Sequence, residues 1–304
     1  MRIVFMGTPD FAVPSLRMLA ERHEVALVVT RPDAVRGRGK KLLPSAVKAA
    51  ALELGLPVHE ASRADEQMVT AVMAVQPDVV CVAAYGALLP DSILSCAPHG
   101  CVNVHASLLP KGRGAAPIQR ALLDGDEFVG VSIMRLVQAM DAGPYCRQAS
   151  FAVGEQNCPE VMARLAGLGA RELVAALDEM AAGRAVWVEQ DEAKATYVAK
   201  VEKREMLLDP ADSALVNRRR VQASLDAAPA RLSVAGRGLR ALDARVVEDQ
   251  VEPGFVRVER RRVMLGCSDG ALELLRVKPD GKREMDVAAW SAGLRGDAIV
   301  WGRA

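Results

Sequence analysis

No apolar stretch in this 304-residue chain approaches the ~18 residues needed to cross a bilayer as a helix. The amino-terminal run Met1–Phe5 also lacks the long apolar core and small-residue cleavage pattern of a secretory leader. A soluble cytoplasmic protein is therefore expected. The six cysteines form no C-x-x-C pair and the four histidines show no ligand spacing, so no metal is expected. Cysteines inside apolar runs, as in Val79-Val80-Cys81-Val82, read as small buried hydrophobes. Charge of one sign is missing too. With 39 Lys and Arg against 38 Asp and Glu, the net charge of +1 argues against a dedicated histone-like nucleic-acid binder and leaves room only for local basic surface. The first strand exit, Gly7-Thr8-Pro9-Asp10-Phe11-Ala12, lacks the second and third glycines that bring backbone against a pyrophosphate, so a nicotinamide enzyme has no support in its residues.

What is present is an ordinary globular balance, 51% hydrophobic and 25% charged, in a chain long enough for two domains. The first half alternates apolar runs with amphipathic stretches. Strands are expected at Arg2–Met6, Val25–Thr30, Asp78–Ala84, Gly100–His105 and Val129–Met134. Helices are expected at Pro14–Arg22, from the cap Ser45 to Leu54, and at Asp65–Val75, Pro117–Leu123 and Pro159–Met180. This alternation predicts an α/β domain with a Rossmann-like, mostly parallel sheet.

The pattern changes near Val186, where a polar, mixed-charge segment begins. After it come one weak helix, Ser213–Leu225, and short strand-like pieces at Gly238–Val247, Gly254–Val258, Val263–Cys267 and Ala271–Val277. Short strands at such spacing predict a small OB-like β-barrel. The expected organisation is a catalytic domain over residues 1–186, a linker over 187–207 and a C-terminal barrel domain over 208–304. The barrel segment holds 17 Lys and Arg against 14 Asp and Glu, a mild lean toward an anionic partner. Its only aromatics are Phe255, Trp290 and Trp301, so contact with nucleic acid is expected through phosphates rather than base stacking. Arg218–Arg220, Arg260–Arg262, Lys278, Lys282 and Arg283 supply the cations, although a charged exposed face accounts for the two arginine runs equally well.

The segment richest in chemistry is Cys101-Val102-Asn103-Val104-His105-Ala106-Ser107-Leu108-Leu109-Pro110. Asn103 and His105 stand two apart, which puts both on one face at the carboxyl end of a strand, where open parallel sheets bind ligands. An amide donor beside an imidazole can hold an oxyanion and move a proton. A core-satisfied His and a loop Asn explain the same two residues, and the pair alone does not decide between these readings.

The surrounding motifs carry a resemblance. Asn103-x-His105-x-Ser107-Leu108-Leu109-Pro110 followed by Gly112-x-Gly114-x-x-Pro117-Ile118 resembles the core motif of the folate-dependent formyltransferases. Gly130-Val131-Ser132-Ile133-Met134 with Met140-Asp141-Ala142-Gly143-Pro144 is similar to the second motif of that family. Gly7–Ala12, Arg38-Gly39-Lys40-Lys41-Leu42-x-Pro44-Ser45 and Ala84-Tyr85-Gly86 narrow it to the branch whose acceptor is a methionyl-tRNA. The resemblance implies 10-formyltetrahydrofolate as cosubstrate, the α-amino group of methionyl-initiator tRNA as acceptor, no metal and no membrane, and a monomer is expected. It implies Asn103, His105 and Asp141 as catalytic residues, with Tyr85, Gly86, Ser107, Leu108, Leu109 and Pro110 at the folate site. Arg36, Arg38, Lys40 and Lys41 would meet tRNA phosphates from a mobile loop, where a plain solvated loop is the alternative. The chain departs from the family at Arg135-Leu136-Val137-Gln138-Ala139, where relatives commonly carry an acidic residue and a Gly. It departs again at Ala227-Ala228-Pro229-Ala230, where an aromatic segment is expected. Two other functions use the same scaffold: formyl transfer to a small amine such as an amino sugar or a ribonucleotide amine, and non-catalytic RNA binding.

Overall fold

The computed structural model describes residues 1–36, 41–294 and 298–304. The chain forms two compact units, the first from Met1–Gly114, Phe128–Ala152 and Met162–Val198 and the second from Ala115–Glu127, Val153–Val161 and Ala199–Ala304. The segment 187–207 thus divides, its residues up to Val198 belonging to the first unit and those from Ala199 to the second.

The first unit is built on a seven-stranded sheet. From one edge to the other its strands are Tyr145–Ala152, Phe128–Arg135, Cys101–His105, Val79–Ala83, Arg2–Gly7, Glu24–Thr30 and Val58–Glu60. The last five run parallel, and Phe128–Arg135 and Tyr145–Ala152 add antiparallel at one edge. Ile3–Met6 and Val79–Ala83 are buried throughout, which is why these strands read as unbroken apolar runs rather than alternations. The chain leaves Arg2–Gly7 toward one edge and returns to its other side with Val79–Ala83, placing the topological switch beside the carboxyl ends of these two strands. Gly7 is required there because a Cβ would lie 2.9 Å from the Ala83 carbonyl oxygen. The helices begin where the sequence signals them. The Ser45 hydroxyl accepts the Lys48 N–H at 2.9 Å and the Asp65 carboxylate accepts that of Met68 at 3.0 Å. Gly169 in the long helix Cys158–Ala181 lets it approach the strand Cys101–His105, since a Cβ would stand 2.5 Å from a methyl of Val104.

Cys81, Cys101, Cys158 and Cys267 are buried and Cys96 and Cys146 are half-buried, none of them in a disulfide. Burial pushes the thiols of Cys101 and Cys158 up to about 12, which keeps them protonated and inert. No helix among the described residues is long and apolar enough to cross a membrane.

The second unit contains a closed antiparallel barrel of six strands, Arg231–Val234, Arg237–Val247, Phe255–Glu259, Arg262–Cys267, Gly270–Pro279 and Ile299–Gly302. Closure comes from Arg237–Val247, which is long enough to pair with both Arg231–Val234 and Gly270–Pro279. Leu232, Val234, Leu239, Ala241, Val263, Leu265, Leu272, Leu274 and Trp301 fill the interior, and the Trp301 indole donates to the Gly266 carbonyl at 3.0 Å. Ala230, in the segment where an aromatic is expected from the family, is fully buried in this core.

The barrel cations are not equivalent. Arg262 donates to Glu273 at 2.9 and 3.0 Å and to Asp249 at 3.3 Å, while Arg220 pairs with Asp212 and Arg218 with Glu155. Arg260 and Arg261 instead form the exposed left-handed turn between two strands, with φ of 45° and 73°. The Glu273 carboxyl is held below the ordinary carboxylate range by the guanidinium of Arg262 and then by that of Arg245. A depressed pKa contributes stability above the ordinary value of 4.5 that is lost as pH falls through the folded value. Glu273→Gln is therefore expected to be less stable than the parent at neutral pH, with the difference shrinking below that value. Urea midpoints measured from pH 7 down to pH 3 check it, and a difference that stays constant with pH contradicts it.

Candidate active site

The strand Cys101–His105 lies between Val79–Ala83 and Phe128–Arg135, so Asn103 sits beside Val82 on one side and Met134 on the other. Asn103 is half-buried and His105 is 5% exposed, both at the carboxyl end of the parallel strands. Asp141 reaches the same place from the loop that follows Phe128–Arg135. Its Oδ1 is 3.7 Å from His105 Nδ1, and its Oδ2 accepts the Gly114 N–H at 2.9 Å. His105 Nε2 lies 2.9 Å from the Gly112 carbonyl oxygen, which can only accept, so in this arrangement Nε2 carries a proton. Nδ1 is left facing the carboxylate at a distance that can tighten when substrate binds.

The three side chains expected to be catalytic therefore meet at one place. They line a cleft of about 600 Å³ together with Tyr85, Gly86, the apolar Leu88, Leu89, Pro90, Leu136, Val137 and Met140, and the polar pair Asp91 and Gln138. Gln138, in the departing segment 135–139, donates to both carboxylate oxygens of Asp91 at 2.8 and 2.7 Å. Tyr85 borders the cleft with a phenol that donates to the Ala61 carbonyl at 3.3 Å and that burial keeps neutral by raising its pKa. The Gly86 carbonyl accepts from Arg31, and at φ of 79° Gly86 holds a conformation that a side chain would strain.

Ser107, Leu108, Leu109 and Pro110 are not among the residues lining this cleft. Their turn is fixed from beneath by Ser132, whose hydroxyl donates to the Ser107 carbonyl at 2.7 Å and accepts the Leu109 N–H at 3.0 Å. Gln148 donates to the Leu109 carbonyl at 2.8 Å, and Leu108 packs so close to Gly130 that a Cβ there would lie 2.5 Å from it. Arg36 and Lys41 are the facing end pair of a short hairpin, Ala34–Arg36 with Lys41–Leu43, and Arg38 and Lys40 fall outside the described residues.

Asp141 has φ of 52°. For a residue other than glycine this left-handed conformation costs roughly 1–2 kcal/mol, so its surroundings must hold it. The residues that do so are not evident from the sequence. Gln190 is 9% exposed and donates to the Asp141 carbonyl at 2.8 Å and the Gly143 carbonyl at 2.7 Å. The fully buried Arg113 donates from Nε to Gln190 at 2.9 Å, and from its two terminal nitrogens to Glu192 at 3.0 and 2.7 Å and to the Tyr197 hydroxyl at 2.9 Å. The Arg113 guanidinium holds the Glu192 carboxyl below the usual range. The one hint in the sequence is an arginine set between Gly112 and Gly114 in the middle of a motif.

A cleft with an amide, an imidazole and a carboxylate converging beside apolar walls suits transfer of a carbonyl-containing group, and no cluster of three or more metal-ligating side chains occurs among the described residues. Comparison with known proteins agrees with that chemistry. The formyl transferase family model matches residues 1–177, and the model of the formyl transferase C-terminal domain matches residues 200–295. The methionyl-tRNA formyltransferase of Methylococcus capsulatus is 43% identical over 290 residues, covering 94% of each chain. That of Halorhodospira halophila is 42% identical, covering 97% of this chain and 96% of the other. Among solved structures, the methionyl-tRNA formyltransferase from Clostridium thermocellum superposes with a TM-score of 0.58 at 14% identity over 82% of this chain and 95% of its own. HypX from Aquifex aeolicus, solved in complex with tetrahydrofolic acid, gives 0.67 at 19% identity over 98% of this chain and 48% of its own. These two structures are similar in fold. With both domain models matched in order and curated relatives above 40% identity along nearly the whole of each chain, this protein belongs to the formyl transferase family.

Proposed function

We infer that this enzyme transfers a formyl group from 10-formyltetrahydrofolate to the α-amino group of methionyl-initiator tRNA. The observation that carries the reading is the convergence of Asn103, His105 and Asp141 on one cleft, in a chain whose curated relatives of more than 40% identity are methionyl-tRNA formyltransferases. A cleft of about 600 Å³ with apolar walls and a few polar groups has the size and lining of a site for a flat heterocycle. Leu88, Leu89, Leu136 and Val137 supply the walls, and Asp91 with Gln138 the polar edge.

In the reaction, the neutral amine of the aminoacyl group attacks the formyl carbon, a C–N bond forms, and the carbonyl electrons move onto oxygen. Asn103 donates a hydrogen bond to that oxygen, where charge develops. Asp141 accepts a proton from the attacking amine through His105 or directly, and His105 returns one to the departing folate nitrogen as the original C–N bond breaks. The proton lost by the amine is the proton gained by tetrahydrofolate. The carbonyl needs placed donors and a relay, and holding the two substrates together supplies much of the rest. Ser107–Pro110 acts by shaping the backbone beside His105, and Tyr85 and Gly86 by forming the cleft floor.

The acceptor is read by residues outside the cleft. Arg36, Arg38, Lys40 and Lys41 contact acceptor-stem phosphates. Neutralising Arg38 and Lys40 to Gln is expected to raise KM for methionyl-tRNA and leave donor binding unchanged. Each phosphate that no longer meets a cation should lower the slope of log affinity against log salt by about 0.7 to 0.9. Binding titrations with both substrates across a salt series check this. Equal weakening of donor binding would put the loop at the folate site instead.

The function itself is tested by supplying donor with methionyl-tRNA, with an amino sugar or with no acceptor, and following tetrahydrofolate release. Release that depends on methionyl-tRNA alone supports the reading, and release with the amino sugar overturns it.

A further inference from the structure

We propose that Gln190 is a positioning residue for the reaction, acting through the backbone of Asp141 and secured by Arg113. The proposal rests on the reading of Asp141 as a catalytic carboxylate.

Three segments meet at Gln190. The first is Gly112-Arg113-Gly114, whose flanking residues make direct contacts with the reacting pair: the Gly112 carbonyl with His105 Nε2 and the Gly114 N–H with Asp141 Oδ2. The second is Asp141-Ala142-Gly143, which holds the carboxylate on a left-handed residue. The third is the stretch from Gln190 to Val198, whose Tyr197–Val198 pairs as a strand with Arg113–Gly114. Thr196 fixes the same place, its hydroxyl accepting the Gly112 N–H at 2.8 Å and its carbonyl the Arg113 N–H at 2.9 Å.

The chemistry of the partners fixes how the Gln190 amide is turned. A guanidinium only donates, so the amide oxygen must face Arg113 Nε. The NH₂ group then points at the carbonyls of Asp141 and Gly143, and each of its two protons has an acceptor. Both ends of the amide are used, and reversing it would set oxygen against two carbonyls and NH₂ against a cation. Arg113, at 0% exposure and held by Glu192 and Tyr197, is the fixed end of the chain of contacts. The carbonyls of Asp141 and Gly143 are the end that sets the distance between the Asp141 carboxylate and His105.

This arrangement separates holding Asp141 from filling space. Gln190→Glu keeps the size of the side chain and strengthens the contact with Arg113, but it replaces two donors by an oxygen facing two carbonyls. A misplacement of about 1 Å at a reacting group costs on the order of a hundredfold. Gln190→Glu is therefore expected to lower kcat by about tenfold to a hundredfold, with KM for donor and for methionyl-tRNA within about twofold of the parent. Gln190→Met, equally long and without donors, is expected to fall as far and provides the same reading should the charged variant fail to fold. A parental kcat in Gln190→Glu would show that Gln190 only supports Arg113, and a raised donor KM at unchanged kcat would show that it shapes the cleft instead. Either overturns the proposal. Asp141→Asn, measured alongside, distinguishes the levels. If it is fully active the catalytic reading itself fails, whereas an inactive Asp141→Asn beside an active Gln190→Glu defeats the positioning role alone.

Discussion

Asn103→Ala is expected to lower kcat by about a hundredfold to a thousandfold, the usual loss when one donor to a developing oxyanion is removed. The substitution should leave the fold intact. Asn103 is only half-buried, and the strand pairings of its backbone with Val82 and Met134 do not depend on the side chain. KM for the donor should change little, because the amide acts on charge that appears only on the way to the transition state. Asp141→Asn is expected to lose about a hundredfold or more, as a side chain that relays a proton does. Its amide oxygen can still accept the Gly114 N–H, so loop position is kept while the carboxylate is removed. Steady-state rates with saturating methionyl-tRNA, set beside thermal midpoints, check both. A kcat within a few-fold of the parent for either variant removes that residue from the mechanism.

Gly143→Ala is the second change with a large expected effect, and it reaches the site through the backbone. A Cβ at Gly143 would overlap the carbonyl oxygen of Arg135, a backbone atom. Arg135 cannot retreat, since its N–H donates to the Pro144 carbonyl at 2.8 Å and its strand pairs with Cys101–His105. Overpacking of this kind costs about 1–3 kcal/mol. With no side-chain rotation able to relieve it, the upper end is expected. The displaced loop also carries Asp141, so kcat should fall together with stability, unlike in Asn103→Ala. Denaturant unfolding and turnover measured on one preparation test this, and a variant with normal stability and normal kcat contradicts the close packing of these two segments.

The part of the site that follows local rules was open to sequence reasoning. Asn103 and His105 are adjacent on one strand face because of a two-residue period, and the strand Cys101–His105 is marked by its own apolar run. Ser45 and Asp65 cap their helices where a short polar side chain precedes an apolar period. Other elements had no such mark. Val58–Glu60 is three residues long and is a strand only because Glu24–Thr30 leaves an edge for it. Tyr145–Ala152 alternates, but its exposed residues Gln148, Ser150 and Ala152 carry no charge and its half-buried side mixes Arg147 with Ala149 and Phe151, which blurs the period. Arg231–Val234 and Ile299–Gly302, the strands that complete the barrel, are four residues each, too short to show a period, and Ile299–Gly302 pairs only with strands far along the chain.

Two further features were hidden for the same reason. Gln190 lies in a polar stretch of the kind that usually marks solvent, yet it is buried by partners 47 to 77 residues away. The three arginines at 260–262 look alike in sequence, but a strand pairing brings Arg262 to Glu273 and leaves the other two on the turn. A run of like charges reveals the total but not which members are already engaged: Arg262 is committed to Glu273, while Arg260 and Arg261 stand exposed on the turn.

The most direct test of the account is a single-turnover transfer with enzyme in excess over formyl-labelled 10-formyltetrahydrofolate. The wild type and Asn103→Ala are each mixed with methionyl-tRNA, and the label is followed over time. The wild type is expected to place the label on the α-nitrogen of the methionyl group. Asn103→Ala is expected to bind donor equally well and to deliver the label to the same nitrogen, slower by about a hundredfold or more. Label recovered as free formate in the wild type, or transfer at the wild-type rate in Asn103→Ala, would contradict it.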